Sequence, residues 1–231
     1  MNERKFFTGN QLKLIAAIAM VIDHIGSYLL QQMTALRIIG RLAYPIFAFM
    51  IAEGFTHTQN RKKYLLRMVI MSVILQLVYA VVVGSAHQCI FVTFSLSIAL
   101  CMLADNAIKR DSTLRWAFFA LAVVGVCFYT TTLPDILTGT GFSVDYGFFG
   151  VMLPVVVFMA KTRRSKLIML TVMLCLLSAV YGYIQCFALA AVPLIALYNG
   201  KRGKLRMKNF FYTFYPAHLM IVYLVQIMMG Q

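Results

Sequence analysis

Charge is scarce in this chain: only 12% of its 231 residues are Asp, Glu, Lys or Arg, against roughly 25% in an ordinary soluble domain. Acidic side chains are the scarcest, seven against twenty-one Lys and Arg, for a formal net charge of +14. The five cysteines, Cys89, Cys101, Cys127, Cys175 and Cys186, are odd in number and lack metal-ligand spacing. That excludes a paired disulfide framework and a thiolate zinc centre; most of them sit inside apolar blocks, where Cys acts as a small packing residue. There is no Gly-rich phosphate loop, no Cys/His metal signature and no soluble nucleotide-binding unit. Internal repeats and low-complexity tracts are missing too, so a single transmembrane helical domain over 1–231 is the simplest division.

What the chain has instead is apolar residues, 61% of the total. They come in blocks of about 15 to 21 residues, long enough to cross ~30 Å of hydrocarbon as helices. A soluble enzyme, a disulfide-stapled secreted module and a disordered chain are all excluded. The expectation is an all-α, polytopic integral membrane protein. The first block is too long for a cleavable signal, carries Asp23-His24 and has no small-residue cleavage pattern after it.

Nine spans are expected, at 11–31, 38–56, 64–83, 88–107, 114–133, 144–160, 167–182, 184–199 and 211–229. The seventh and eighth nearly touch at Tyr181-Gly182-Tyr183, where a re-entrant hairpin is an alternative. The basic residues alternate along this series. They gather at Arg4 and Lys5, at Arg61-Lys62-Lys63 with Arg67, at Lys109-Arg110 with Arg115, at 161–166, and at Lys201, Arg202, Lys204, Arg206 and Lys208. The other links are nearly free of them, except for Arg37 and Arg41. That alternation predicts an N-in, C-out topology. It also accounts for the basic excess, so no nucleic-acid partner is expected.

Ionisable groups at membrane depth cost about 2.5–3.5 kcal/mol each on insertion scales and normally face a bundle interior. Here they concentrate in the first two spans and the last. Lys13 and His24 are eleven residues apart, which returns them to within about 20° of one helix face, with His24 ~20 Å along the helix. An imidazole there suits a general base, with Asp23 orienting it or holding a positive neighbour. The alternative is a His bonded to a neighbouring helix and an Asp paired with Arg. Arg37 and Arg41 stack at i, i+4. In an antiparallel hairpin Arg41 becomes a partner for Asp23, unless both arginines snorkel to the headgroups. Pro45 should kink the second span and free a carbonyl.

Glu53 and His57 form another i, i+4 pair, either site members or an interfacial ion-pair ladder. His218 follows the aromatic run 210–215 without a local partner. It lies ~9 Å along its expected helix, about half the depth of His24, so the two imidazoles belong to different ends of one tunnel or the boundaries differ. Asp135, Asp145, His87 and Gln88 fall in outer links and are expected to be solvated. Gln76 and Gln185 are amides at membrane depth, suited to helix contacts.

Several stretches together carry a family resemblance. They are Leu12-Lys-Leu-Ile-Ala-Ala-Ile-Ala-Met-Val-Ile-Asp-His-Ile-Gly26, Arg37-x-x-Gly40-Arg41-Leu-Ala-Tyr-Pro45-Ile-Phe-Ala-Phe, Glu53-Gly54-Phe with His57, and Asn60-Arg-Lys-Lys-Tyr-Leu-x-Arg67. Tyr146-Gly147, Leu197-Tyr-Asn-Gly-Lys-Arg-Gly203 and Phe211-Tyr-x-Phe-Tyr-Pro-x-His218 follow. In this order, over nearly the whole chain, they resemble the TraX family, named after the pilin N-acetylating protein of conjugative plasmids. That group is similar to the membrane acyltransferase-3 superfamily, in which a basic residue, usually Arg, precedes a first-helix His by eleven positions; here it is Lys13. Lys keeps the charge without the two-pronged grip of Arg.

The resemblance implies an acetyl-CoA-dependent acyltransferase of the bacterial inner membrane, with no metal. Acyl-CoA would enter from the cytosol, its anionic head on Lys13, His57, Arg61, Lys62, Lys63 and Arg67; plain positive-inside topology is the alternative for the basic cluster. His24 with Asp23 would take a proton from an amine or hydroxyl of a pilin-like or glycan acceptor. Arg41 would steady the tetrahedral intermediate, with Glu53 and His218 lining the path or acting on the cytosolic side. The competing classes are an ion- or proton-coupled transporter and an envelope-assembly factor that catalyses nothing.

Overall fold

The computed structural model describes residues 6–80, 84–204 and 207–229. Arg4, Lys5 and Arg206, the end of the third expected span (81–83) and the side chain of Lys208 lie outside the described residues. Among the described residues the chain is helical, without a strand; two isolated bridges join Phe7 to Tyr198 and Gln88 to Val144. The helices are α1 (Gly9–His24), α2 (Thr34–Gly40), α3 (Ala43–His57), α4 (Arg61–Val78), α5 (Ile90–Arg110) and α6 (Thr113–Cys127). After them come α7 (Leu133–Ile136), α8 (Gly147–Met159), α9 (Arg163–Tyr181), α10 (Tyr183–Cys186), α11 (Ala191–Ala196) and α12 (Lys208–Met228).

Among the described residues five stretches are long and apolar enough to cross a membrane: Gly9–Leu29, Thr34–His57, Ile90–Arg110, Thr113–Ile136 and Arg163–Tyr181. Gly147–Met159, Tyr183–Ala196 and Thr213–Met228 are apolar but shorter. Their outward faces suit lipid. On α6 and the turn after it, Leu114, Phe118, Leu121, Val124 and Phe128 are all more than half exposed, and they recur every three or four residues as one stripe. A soluble protein rarely shows so long an apolar stripe to water.

The chain forms two compact units. The first comprises Met1–Met50 and Leu170–Gln231, the second Ile51–Met169. The chain passes from one to the other within α3 and within α9.

In the first unit α1 packs on α2 and α12, and α10 packs on α2. Small residues make this possible: Ala16, Ala17 and Ala19 of α1 are buried, and small side chains let membrane helices approach closely. The start of α1 is fastened twice. Thr8 and Gln11 form a capping box, and the loop 197–202 accepts backbone bonds from Phe6, Phe7, Gly9 and Asn10 while Asn199 donates to Phe7. Gly203 (φ +98°) passes so near that a Cβ there would meet Thr8 Oγ1 at 3.0 Å. The stretch 197–203 of the resemblance is thus a clamp on the first helix.

Between α2 and α3 the helix breaks at Arg41-Leu42. The break sits four residues before Pro45, whose ring lacks an N–H and crowds the carbonyl at that distance. The kink expected at Pro45 is therefore expressed at Arg41.

In the second unit α5 is the central helix, packed on α4, α6 and α8. Ile98, Leu100, Cys101, Ala104 and Ala107 face a core that α8 fills with Val151, Leu153, Val155 and Val157. Ser97 Oγ donates to the Val151 carbonyl at 2.8 Å and Thr93 Oγ1 to that of Asp145 at 2.8 Å.

Candidate active site

Asp23, the penultimate residue of α1, holds two arginines. Arg37 Nη1 lies 2.8 Å from its Oδ2 and Arg41 Nη2 3.2 Å from its Oδ1. Arg37 Nη1 also donates to the Asp23 carbonyl at 3.2 Å, and Arg41 Nε to the Arg37 carbonyl at 3.4 Å. A fourth member comes from α10: Gln185 Oε1 accepts from Arg41 Nη1 at 3.2 Å. Gly40 admits this approach, since a Cβ there would stand 2.3 Å from Cβ and Oδ1 of Asp23. Gly26 does the same one turn later, where a Cβ would meet that of Leu36 at 2.7 Å.

His24 is the next residue. Its Nδ1 lies 2.8 Å from Nε2 of His218, with the rings stacked at 4.9 Å between centroids. The sequence-based depths, which left His218 about half as deep as His24, change because α12 begins at Lys208 rather than 211; His218 is then ~15 Å along it. Phe214 stacks on His218 at 5.1 Å, and Tyr215 meets both imidazoles edge-on. Directly after His24 the helix widens into a π-turn, Ile25–Leu29, an irregularity frequent at functional sites.

The bonds fix the proton order of the pair. His218 Nδ1 lies 3.0 Å from the Phe214 carbonyl, which only accepts, so His218 Nδ1 carries a hydrogen. In a neutral imidazole the other nitrogen is then an acceptor. His218 Nε2 accepts from Nδ1–H of His24, which leaves the lone pair of His24 on Nε2. The relay carbonyl–His218–His24 orients one imidazole and gives it a defined basic nitrogen.

The remaining candidates lie elsewhere. Lys13 is half-buried in α1, eleven residues and ~16 Å along the axis from His24. Glu53, His57, Arg61, Lys62, Lys63 and Arg67 belong to the second unit. There Glu53 Oε1 pairs with Lys166 Nζ at 2.5 Å, and its carbonyl takes a hydrogen bond from Nδ1 of exposed His57 at 2.8 Å. Arg61 is bonded to Asp105 and lies 4.5 Å from the Phe55 ring centroid; Lys109 Nζ reaches the same carboxylate at 2.9 Å. Lys62, Lys63 and Arg67 are exposed.

His87 and Asp145, expected to be solvated, are half-buried and bonded to each other, with Ser143 as a third member. Ser143 Oγ is 2.7 Å from Nδ1 of His87, and Asp145 Oδ1 accepts from Nε2 at 3.2 Å. The hydrogen bond to Asp145 raises the affinity of His87 for its proton, against the opposing effect of burial. With the Gln88–Ser143 and Asp145–Gln88 backbone bonds, these side chains tie the loop before α5 to the loop before α8.

The TraX family model, described as TraX protein, matches residues 8–226. The chain belongs to the TraX family. Among curated relatives of this TraX chain is the Probable fimbrial assembly protein FimC, serogroup H1, of Dichelobacter nodosus, 28% identical over 94% of each chain. Another is an uncharacterized protein of Rickettsia prowazekii (strain Madrid E), 29% identical over 68% of this chain and 57% of that protein. No solved structure matches. The stretches of the resemblance that hold Asp23-His24, Arg37 to Arg41 and His218 thus converge in the first unit of the chain. Gln185 joins them from outside those stretches; its only signal in the sequence is that of an amide at membrane depth.

Proposed function

We propose that this TraX protein is an acetyltransferase of the bacterial inner membrane, moving an acetyl group from acetyl-CoA to an amine or hydroxyl of a membrane-associated acceptor. The observation that carries the reading is the His24–His218 pair, whose hydrogen bonds leave a defined lone pair on His24 Nε2. His24 is the general base: Nε2 takes a proton from the acceptor as its nitrogen or oxygen attacks the thioester carbon. The C–N or C–O bond forms, the C–S bond breaks, and the proton leaves with the thiolate as CoA thiol. His218 is a positioning residue that holds the tautomer. Arg41 neutralises charge developing on the carbonyl oxygen, and Asp23 fixes Arg41.

In the second unit Lys62, Lys63 and Arg67 are exposed, whereas Arg61 is already bonded to Asp105. A relative named for fimbrial assembly, matched over 94% of both chains, supports a pilin-type acceptor. An assembly factor without catalysis would not need the ordered imidazole relay; a proton-coupled transporter uses such relays too, and release of CoA thiol without proton flux is what separates the enzyme from it.

The test is CoA-thiol release and acetyl incorporation, read by mass spectrometry, with purified protein, acetyl-CoA and a membrane extract from cells lacking the gene. The expected outcome is turnover by the wild type, none by His24→Asn, and a reduced rate with an altered pH profile for His218→Asn. Full turnover by His24→Asn removes the assignment, and no turnover by wild type against any fraction removes the acetyltransferase reading.

A further inference from the structure

Around Asp23 the charges do not balance. Among the described residues one carboxylate faces two guanidinium groups, which leaves one positive charge of the cluster in excess. Arg41 has only 13% of its side chain exposed and Arg37 30%. A charge withdrawn from water is costly unless it is paired.

A second observation is independent of charge. Gln185 is 2% exposed, and its Nε2 has no hydrogen-bond partner among the described residues. The orientation of the amide is not arbitrary: Arg41 only donates, so the oxygen must face Nη1 and the NH2 must point away. Native proteins rarely leave such a donor buried and unused. An excess cation and an orphaned donor joined by one hydrogen bond ask for the same thing, an acceptor bearing negative charge. Arg41 retains N–H groups beyond the three its bonds use, since a guanidinium has five.

We infer that Arg37, Arg41 and Gln185 form a binding site for a monovalent oxyanion, a carboxylate or phosphodiester group on a substrate or lipid. One negative charge neutralises the cluster, and two oxygens reach the free guanidinium N–H groups and the Gln185 amide together. This goes beyond acetyl transfer: the site binds an anion whatever chemistry follows at His24. If the acetyl reading also holds, the acceptor is an anionic molecule anchored here.

The test is thermal unfolding of the full chain in a neutral detergent, titrated with sodium acetate or sodium dimethyl phosphate and compared with sodium chloride at equal ionic strength. Wild type should show a saturable rise in Tm with at least one oxyanion, beyond that with chloride. Response to acetate alone assigns a carboxylate ligand, and response to dimethyl phosphate alone a phosphodiester such as a lipid headgroup. Gln185→Leu should weaken the apparent affinity about tenfold or more, the loss of one charge-assisted hydrogen bond. Gln185→Glu keeps the acceptor for Arg41 and supplies its own anion. It should fold with a Tm no lower than wild type and lose the response. Chloride matching both oxyanions in wild type, or a full response in Gln185→Glu, would overturn the site. Neither readout uses acetyl-CoA, so failure of the acetyltransferase reading leaves this result standing.

Discussion

Gly40→Ala puts the architecture of the cluster at risk with one methyl group. On helix propensity alone the change should help, because Ala is favoured over Gly by about 0.8–1 kcal/mol in a helix interior. Packing opposes it. The added Cβ would stand 2.3 Å from Cβ and Oδ1 of Asp23 and 2.6 Å from Cγ. The Cβ contact is with an atom held by the backbone of α1, so rotating the Asp23 side chain does not relieve it, and α1 and α2 must separate. Separation lengthens the 2.8 Å and 3.2 Å bonds from Arg37 and Arg41 to the carboxylate. Removing a partner from a fully buried pair costs about 3–5 kcal/mol; Asp23 and Arg37 are half-buried, which sets the lower end, and less the propensity gain of about 1 kcal/mol the net loss is roughly 2 kcal/mol. Gly125→Ala is the matched control, since its Cβ would meet nothing within 4 Å. Chemical unfolding of both variants in detergent should place Gly125→Ala at or slightly above wild type and Gly40→Ala well below. A Gly40→Ala protein as stable as wild type would refute the close approach, and with it the Asp23–arginine cluster.

Three further outcomes follow from the second unit. Lys166→Met should destabilise by roughly 1–3 kcal/mol, below the about 3–5 kcal/mol of a fully buried pair because half-buried Glu53 keeps some access to solvent, and adding Glu53→Gln should recover most of the loss in the same unfolding assay; independent, additive effects would deny the pair. Arg61→Ala should lower stability by breaking the bond to Asp105, whereas Lys62→Gln with Lys63→Gln and Arg67→Gln, all exposed, should stay near wild type in the same assay; equal stability of Arg61→Ala and wild type would deny the Arg61–Asp105 pair. His87 binds its proton more tightly in the fold than when unfolded, so its charged tie to Asp145 is fully present below about pH 6.5 and fades as the pH rises through the folded value. The stability difference between wild type and His87→Ala should be larger at pH 5.5 than at pH 8.5, and a constant or growing difference would contradict the sign.

Membrane class and helical fold were legible because block length and apolarity are one-dimensional properties. The Asp23–Arg41 pairing was legible too: two adjacent apolar segments with a short link form a hairpin, and i, i+4 spacing puts Arg37 beside Arg41. The meeting of His24 and His218 was harder, for it joins residues 194 apart and depends on where α12 begins. An aromatic run at 210–215 looks like an interface belt, yet it is helical from Lys208 onward. Gln185 was visible as a polar residue at depth but not as a partner of Arg41, 144 residues away. Its position follows from the break at Gly182 (φ +84°), which ends α9 and begins the short helix α10. Such a break is suggested by one glycine, but its angle is set by packing.

The two units also treat surplus positive charge differently, and the difference bears on function. Asp105 faces Arg61 and Lys109, again one carboxylate to two cations, but Lys109 is 63% exposed. Its charge has a route out of the protein interior, and nothing more is required. Glu53 and Lys166 cancel each other with little of either exposed. At Asp23 neither solution is available: among the described residues no acidic side chain matches the second guanidinium, and the more buried of the two is the one bonded to Gln185. Positive-inside bias explains a cation with a route to water. It does not explain Arg41, whose charge is held beside the His24–His218 pair, and a ligand that brings its own negative charge does.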